Sequence, residues 1–549
     1  MLKIIPLGGL GEIGLNMMAI EYNDVIFIID AGLMFPEDYM LGVDIVIPAM
    51  NYLRENRRTV QGIILTHAHE DHIGALPYLL REIRIPVYGT AFTLGIVRNK
   101  LVEFELNKYV DLNLVNPGEN LSIDFFDIEF IRVSHSTIEG VGLAMKTPEG
   151  VVIHTGDFRI NHNADSMENT DISSFARFGQ AGVLALLSDS TNVEVEGYTK
   201  PEQEVARNLE KLISESKHRV IVALFASNVS RIQQVVDIAV RNNRKIIFNG
   251  RRMEQIIHVA TGLGHIKCPP DTILDIKQIG KFKDNELVII TTGSQGEPMS
   301  ALARMAAGTH KQIQIKKGDC VILSSKYIPG NEKAISEIVN KLYRRGADVI
   351  YSKIAQIHAS GHAQKEELKL MLNLVKPKYF IPIHGEYRHL VMHARLAEKV
   401  GMERENVLVA ENGKVITFND NSIQVDTAVH TGRVLIDGKG IGDVGRSILK
   451  ERRALSEGGL VVVTMIIDEE TGVVLYGPEL VSKGFVFDSA TGYLVDDAQC
   501  VILEIVEEID AGIASRVALI RKRLQKALKQ YFAFAINRRP LIVPIIVEV

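Results

Sequence analysis

Residues 62–74 read Gly62-Ile63-Ile64-Leu65-Thr66-His67-Ala68-His69-Glu70-Asp71-His72-Ile73-Gly74, and no other stretch constrains the fold as tightly. Residues 62–66 are a short apolar, β-branched run, which suits a buried strand. Three imidazoles and two carboxylates then crowd into residues 67–72. In extended backbone, residues i and i+2 share a face, so His67 and His69 can hold one ion together. Asp71 and His72 lie past the bend and are better placed for a second. Imidazole and carboxylate donors suit Zn²⁺ or Mn²⁺ rather than a thiolate-demanding ion. A polar loop with incidental histidines does not account for this spacing at the end of a buried strand. The segment then opens residues 75–81, which read as a helix.

At 549 residues the chain is too long for one core, and length alone suggests about three or four domains. Its net charge of −5 gives no global basic signal, so any nucleic-acid surface must be local. Cys268, Cys320 and Cys500 lie far apart, form no metal motif and are odd in number, which points to a reducing cytoplasm. Glycines and Glu12 interrupt the N-terminal stretch where a signal peptide would be apolar. No apolar run has the length of a membrane span, so no membrane partner is expected.

Taken in order, Gly9-Leu10-Gly11-Glu12-Ile13-Gly14 matches the dinucleotide fingerprint G-x-G-x-x-G, but that motif needs a helix at its last glycine. Two strand-like runs, 17–22 and 25–29, follow instead, so the glycines are expected to form turns or let backbone pass close to a site. Asp30 ends the second run. A carboxylate there either caps a turn or orients a metal ligand, and the histidines downstream favour the second role. His135 and Asp157 also follow apolar runs, and Asp189 follows another at 183–187. Strand ends meeting at one sheet edge are where α/β folds keep their sites. From about residue 201 a new strand–helix alternation begins and reads as a doubly wound unit. Histidine-rich chemistry resumes at His358-Ala359-Ser360-Gly361-His362 and at Ile381-Pro382-Ile383-His384-Gly385-Glu386, so that unit reads as an insertion. In the first of these, glycine permits close backbone approach, serine can donate a hydrogen bond and the histidines can carry charge. The stretch therefore suits phosphate capture, although a plain turn presenting His362 is the simpler alternative.

Asp30, the 67–72 motif, His135 and Asp157 resemble the successive motifs of the metallo-β-lactamase fold, an αββα sandwich with two metals. Asp189, His362 and His384 resemble motifs A, B and C of its β-CASP subgroup, which acts on nucleic acids. A histidine at the last of these is typical of RNA-processing members. Gly8–Gly14, Thr155–Phe158, Ser188–Asn192, Thr292–Pro298 and His358–His362 are similar to the ribonuclease J family over roughly residues 1–445. The resemblance implies a metallo-β-lactamase domain in two parts (1–200 and 356–445) and an inserted β-CASP α/β domain (201–355). A linker at 446–459 and a small α+β C-terminal domain at 460–549 would follow. It implies that His67, His69 and His135 bind one metal, that Asp71, His72 and His384 bind the other, and that Asp157 bridges them. Asp71, Asp189 and His362 would act in catalysis, with His362 as the acid. Ser227, Asn228, Arg231 and Ser294 would hold further phosphates or a 5′ end. Asp44 and Asp437 resemble positions where relatives hold structural Ca²⁺.

The activity implied is metal-dependent RNA hydrolysis, 5′→3′ from a monophosphorylated end and also internal. A water deprotonated by the metal pair would leave 5′-phosphates, in bacterial-type mRNA decay and rRNA maturation. The partners implied are single-stranded RNA, RNA-decay proteins and a second copy in a homodimer or homotetramer, since a similar C-terminal domain supports dimerisation in the family. Arg521, Lys522, Arg523, Lys526, Lys529, Arg538 and Arg539 make the chain's end basic, which reads equally as a solvated helix face or an RNA contact. The rival readings are an RNA 3′-end-processing endonuclease of the same group, a small-molecule metallohydrolase, and an inactive RNA-binding scaffold. The inserted domain argues against the small-molecule enzyme. The filled ligand positions argue against the scaffold.

Overall fold

The computed structural model describes residues 1–161, 169–297, 299–325, 331–352, 354–419, 422–426, 428–438, 440–485, 492–510, 512–513 and 515–549. The chain divides into two compact units, residues 1–34 with 47–433, and residues 35–46 with 434–549.

In the first unit an eight-stranded sheet faces a six-stranded one. The hairpin expected after the glycine loop is present, with Met17–Tyr22 antiparallel to Val25–Ile29. Val25–Ile29 in turn runs parallel to Val60–Ile64. The apolar residues on the facing sides explain the pairing of the sheets. Ile4, Ile20, Phe27 and Ile64 from one sheet and Phe130, Leu143, Leu187 and Ile381 from the other form one buried cluster. On the outer face of the six-stranded sheet, Ile131, Ile153, Leu186 and Phe380 pack with Phe175 and Phe178 of the helix Ile172–Ala181 and with Leu368 and Met371 of the helix Lys365–Val375. Strands Gly150–His154, Ala185–Asp189 and Tyr379–Ile383 are parallel neighbours, so their C-terminal ends open on one edge. This is the expected α/β sandwich.

Between those strands the chain builds a separate five-stranded sheet, in the order Lys245–Asn249, Leu287–Thr291, Val220–Ala223, Cys320–Leu323, Asp348–Ile350. Every pair in it is parallel. Its strands are continuous apolar runs, as burial on both faces by helices demands.

In the second unit, Leu460–Ile467 lies between an antiparallel neighbour, Val474–Lys483, and a parallel one, Leu541–Glu548. Val461, Val463, Met465 and Ile467 bury one face against Ile502, Ile520, Leu524 and Leu528 of the two long helices, Gly492–Glu507 and Arg516–Ile536. Two local expectations change. Residues 446–459, expected as an open linker, are helical over Arg446–Gly458, because the run between its glycines is rich in good helix formers. The helix expected from residue 75 is preceded by a helical turn at Glu70–Ile73, so Asp71 and His72 project from helical backbone and not from an open loop. Among the described residues no helix is long and apolar enough to cross a membrane.

Candidate metal centre

Six strand ends deliver the site. Asp30 follows Val25–Ile29, His67 and His69 follow Val60–Ile64, and His135 follows Phe126–Arg132. Asp157 follows Gly150–His154, Asp189 ends its own strand, and His384 follows Tyr379–Ile383. The donor atoms fall into three overlapping groups that share Asp157: first His67, His69, His135 and Asp157, second Asp71, His72, Asp157 and His384, and third Asp157, Asp189, His362 and His384.

In the first group, Nε2 of His67 and Nε2 of His135 stand 3.1 and 3.2 Å from Nδ1 of His69. The same two atoms stand 3.7 and 3.8 Å from Oδ2 of Asp157. In the second group, His72 Nε2 lies 3.3 Å from His384 Nε2 and 3.3 Å from Asp157 Oδ2. His384 Nε2 lies 3.4 Å from Oδ2 of both Asp71 and Asp157. Donors about 2.0–2.1 Å from a tetrahedral Zn²⁺ would be separated by about 3.3–3.4 Å, so both groups fit an ion of that size.

The opposite nitrogen of each ring is tied back, which fixes the nitrogen that faces the centre. His67 Nδ1 meets Thr66 Oγ1 at 3.0 Å, and His72 Nδ1 meets Asp30 Oδ2 at 2.8 Å. His135 Nδ1 donates to the Gly361 carbonyl at 2.8 Å, and His384 Nδ1 meets Thr191 Oγ1 at 2.8 Å. Asp30 is anchored in turn, since its carboxylate accepts from the Thr66 N–H and hydroxyl, each at 2.8 Å. Asp30 thus lies behind His72, joined to Thr66. Both Asp30 (φ +60°) and His384 (φ +53°) hold left-handed backbone, and such conformations persist where surrounding structure over-determines them.

Burial drives His67 and His135 well below the ordinary imidazole range and His69 down to about 4, so these rings are neutral and ready to donate lone pairs. Burial also acts on His384, but Asp157, Asp71 and Asp189 outweigh it and push the ring up to about 9. His72 is likewise raised against burial by Asp157, Asp71 and Asp30. The second group thus carries the carboxylates that a divalent cation would neutralise.

Beside it, His362 Nδ1 lies 2.8 Å from Asp189 Oδ2. Asp189 raises the His362 pKa against the opposing effect of burial. The His362 side chain is 22 % exposed, whereas His67 and His135 are closed off, so the ring faces the open side of the centre.

The stretch His358–His362 runs alongside. Gly361 packs so closely that a Cβ there would meet His135 Cε1 at 2.7 Å, so a turn beside this ring needs glycine. Ser360 Oγ accepts from Asn192 Nδ2 at 2.6 Å, and its own proton has no acceptor among the described residues.

Two of the other expected phosphate contacts, Arg231 and Asn228, are committed elsewhere. Arg231 is sealed inside, donating to the Ile357 carbonyl and Ser324 Oγ and pairing with Glu202, so its guanidinium is not available to a phosphate. Asn228 spends its side-chain oxygen on the N–H of Arg231, capping the helix Val229–Arg241. Ser294 is buried, and Ser227 is half-buried at the entry to that helix. Asp44 accepts from the Gly438 N–H at 2.7 Å, and Asp437 pairs with Arg452 at 2.5 Å.

Thr66, Thr191 and Glu202 were not singled out from sequence. The two threonines sit inside motifs whose neighbours carry stronger signals, and Glu202 looks like an ordinary acid in a first helical turn.

Overlapping His/Asp sets at the strand ends of an αββα sandwich define a metallohydrolase, and residues 10–193 match the metallo-β-lactamase superfamily. More narrowly, the chain belongs to the ribonuclease J family. Residues 217–342 match the ribonuclease J β-CASP domain and residues 447–549 the ribonuclease J C-terminal domain. Residues 347–410 match the Zn-dependent metallo-hydrolase RNA specificity domain. The chain is 40 % identical to ribonuclease J2 of Bacillus subtilis over 547 residues, 100 % of this chain and 98 % of that protein. It is 39 % identical to ribonuclease J 1 of Streptococcus pyogenes, covering 99 % and 97 %. A crystal structure of a protein of unknown function from Enterococcus faecalis shares the fold, with a TM-score of 0.55 at 16 % identity over 76 % of this chain and 99 % of that one. The chain is a hydrolytic, metal-dependent ribonuclease and binds RNA.

Proposed function

We propose that this ribonuclease degrades single-stranded RNA 5′→3′ from a monophosphorylated end, also cuts internally, and leaves 5′-phosphates, in mRNA decay and rRNA maturation. The observation that carries the reading is the pair of donor groups sharing Asp157, with the Asp189–His362 pair and the 358–362 stretch on one side of it. His67, His69, His135 and Asp157 would hold one divalent cation, Zn²⁺ or Mn²⁺. Asp71, His72, Asp157 and His384 would hold the other. When bound, such a pair lowers the pKa of a water and relieves charge on phosphoryl oxygens.

The protein's own groups do the rest. His362, whose pKa Asp189 raises, gives its proton to the departing 3′-oxygen. Ser360 and the loop around it receive the 5′-phosphate, which sets the register of the scissile bond relative to the end. Self-association through the C-terminal unit is part of the same reading. The outer face of its sheet exposes Leu475, Tyr476, Val481, Ile545 and Val547, an apolar surface suited to a second copy. The free thiols of Cys268, Cys320 and Cys500 suit a cytoplasmic setting.

The test is cleavage of one RNA carrying a 5′-monophosphate, a 5′-triphosphate or a 5′-hydroxyl, with Mn²⁺ or Zn²⁺, beside a combined Asp71→Ala and His72→Ala control. Release of 5′ mononucleotide, fastest from the monophosphate and absent in the control, is the expected result. Internal fragments alone would remove the end-sensing part. An absence of metal-dependent cleavage of any version would overturn the reading.

A further inference from the structure

The loop that faces the candidate phosphate position is held from behind by two buried arginines. Arg159 Nη1 donates to the Ser360 carbonyl at 3.0 Å, and Arg231 Nη1 donates to the Ile357 carbonyl at 3.0 Å. Both guanidinium groups converge on Glu202. Arg159 meets its Oε1 at 2.9 Å, and Arg231 pairs with its Oε2. The Gly361 carbonyl accepts from His135, and the His362 carbonyl accepts from Asn192 at 3.0 Å and Thr199 at 3.3 Å. Four carbonyls of one short loop are thus turned into the protein. In a planar trans peptide the N–H points opposite to the C=O, so the N–H groups of His358 and Gly361 face away from the arginines.

The three charged side chains come from different parts of the first unit. Arg159 follows Asp157 by two residues, Glu202 opens the helix Glu202–Glu215, and Arg231 lies in the first turn of the helix Val229–Arg241. Two buried cations need a counter-charge, and each uses donors on it that would otherwise be left unsatisfied. Glu202 supplies that charge. Burial works against its ionisation, but Arg231 and Arg159 bring its pKa down to about 2.

We propose that Glu202 is a positioning residue for end recognition: by bridging Arg159 and Arg231 it fixes the 357–362 loop and so sets the preference for a 5′-monophosphate. The inference rests on the reading of that loop as a phosphate clamp. A bidentate carboxylate is what holds both planar forks in place, and an amide of the same shape cannot neutralise either.

The experiment uses the full chain loaded with Mn²⁺, one 3′-labelled RNA with a 5′-monophosphate or a 5′-hydroxyl, and the variants Glu202→Gln, Arg159→Gln and Ser360→Ala. The last variant probes the clamp directly. Glu202→Gln is expected to raise KM for the monophosphate roughly tenfold, as loss of a charge-assisted contact would. Because the loop also carries Gly361 and His362, the hydroxyl RNA should slow as well, but several-fold less than the monophosphate RNA. Equal slowing of both RNAs would mean a merely structural role and overturn the proposal. Unchanged discrimination in Glu202→Gln and Arg159→Gln, with discrimination lost in Ser360→Ala, would overturn it while leaving the clamp standing. Unchanged discrimination in all three would remove the clamp and this inference together. If Glu202→Gln does not fold, Arg159→Gln, which leaves the Arg231–Glu202 pair in place, decides by the same criteria.

Discussion

The Asp30 carboxylate stands 2.8 Å from Nδ1 of His72, on the side of the ring away from the candidate second metal position. Both residues are buried, so the contact is not diluted by water. It assigns the Nδ1 proton and leaves Nε2 as a donor toward the ion. Replacing Asp30 by Asn keeps the shape but removes the charge. We expect affinity for the second ion to fall between about 10- and 100-fold, with the first ion retained, measured by chelator competition on the full chain. Loss of both ions together would mean that the strand end itself had collapsed.

Gly361→Ala tests the packing between the loop and the first metal position. The new methyl would meet His135 Cε1 at 2.7 Å, Nδ1 at 2.8 Å and Ser136 Cβ at 2.9 Å, and none of these is a flexible side-chain tip. Either His135 rotates away from its place beside His69 or the loop shifts. A displacement of about 1 Å near reacting groups costs on the order of 100-fold in rate. The expected outcome is such a loss together with weakened metal retention. A variant with wild-type metal content and wild-type rate would contradict the packing described.

A pH effect on stability should come from His393. Its ring is fully buried against Phe380, with Ser190 Oγ 3.0 Å from Nδ1. Burial pushes its pKa down to about 3, against about 6.5 in an unfolded chain. A lowered imidazole pKa means that the unfolded state takes up the proton first. This contribution to stability is complete above about pH 6.5 and declines as pH falls from there toward 3, by at most about 1.4 kcal/mol per pH unit. His393→Phe removes the titrating group and keeps an aromatic ring. Its denaturation midpoint relative to wild type should improve between pH 7.5 and pH 5. A constant difference across that range would refute the assignment.

What the chain disclosed of itself depends on how local each signal was. His67, His69, His72, His135 and His384 each follow an apolar run, and strand ends are legible from composition, so their convergence on one sheet edge could be expected. Asp30 could be singled out on the same ground, as it too follows an apolar run. Arg231, taken with Ser227 and Asn228 as a phosphate contact on the resemblance, is instead buried by Glu202 and Ile357, which are distant in sequence. The Asp437–Arg452 pair was not legible either, since nothing near Asp437 in sequence announces it. The helix Arg446–Gly458 was hidden by the glycines at both its ends, which made a helical run look like a hinge. Partner choice over long sequence distance is what pattern reading lacks.

The pairing of His362 with Asp189 leads to the most specific chemical expectation. The carboxylate holds the ring 2.8 Å away through Nδ1, which leaves Nε2 to act on a substrate atom. If that atom is the departing 3′-oxygen, the loss in His362→Gln should depend on the leaving group. An alkoxide must be protonated as it departs, and removing a positioned acid costs about 10²–10⁴-fold. A 3′-thiolate departs without that help. On RNA with a bridging 3′-sulfur at the scissile bond, His362→Gln and Asp189→Asn should therefore recover to within about tenfold of the wild-type rate on the same RNA, whereas Asp71→Ala should not. Single-turnover rates on the oxygen and sulfur versions measure this directly. Equal loss on both would assign His362 to binding or orienting the phosphate and leave the proton donor to be found elsewhere in the cleft.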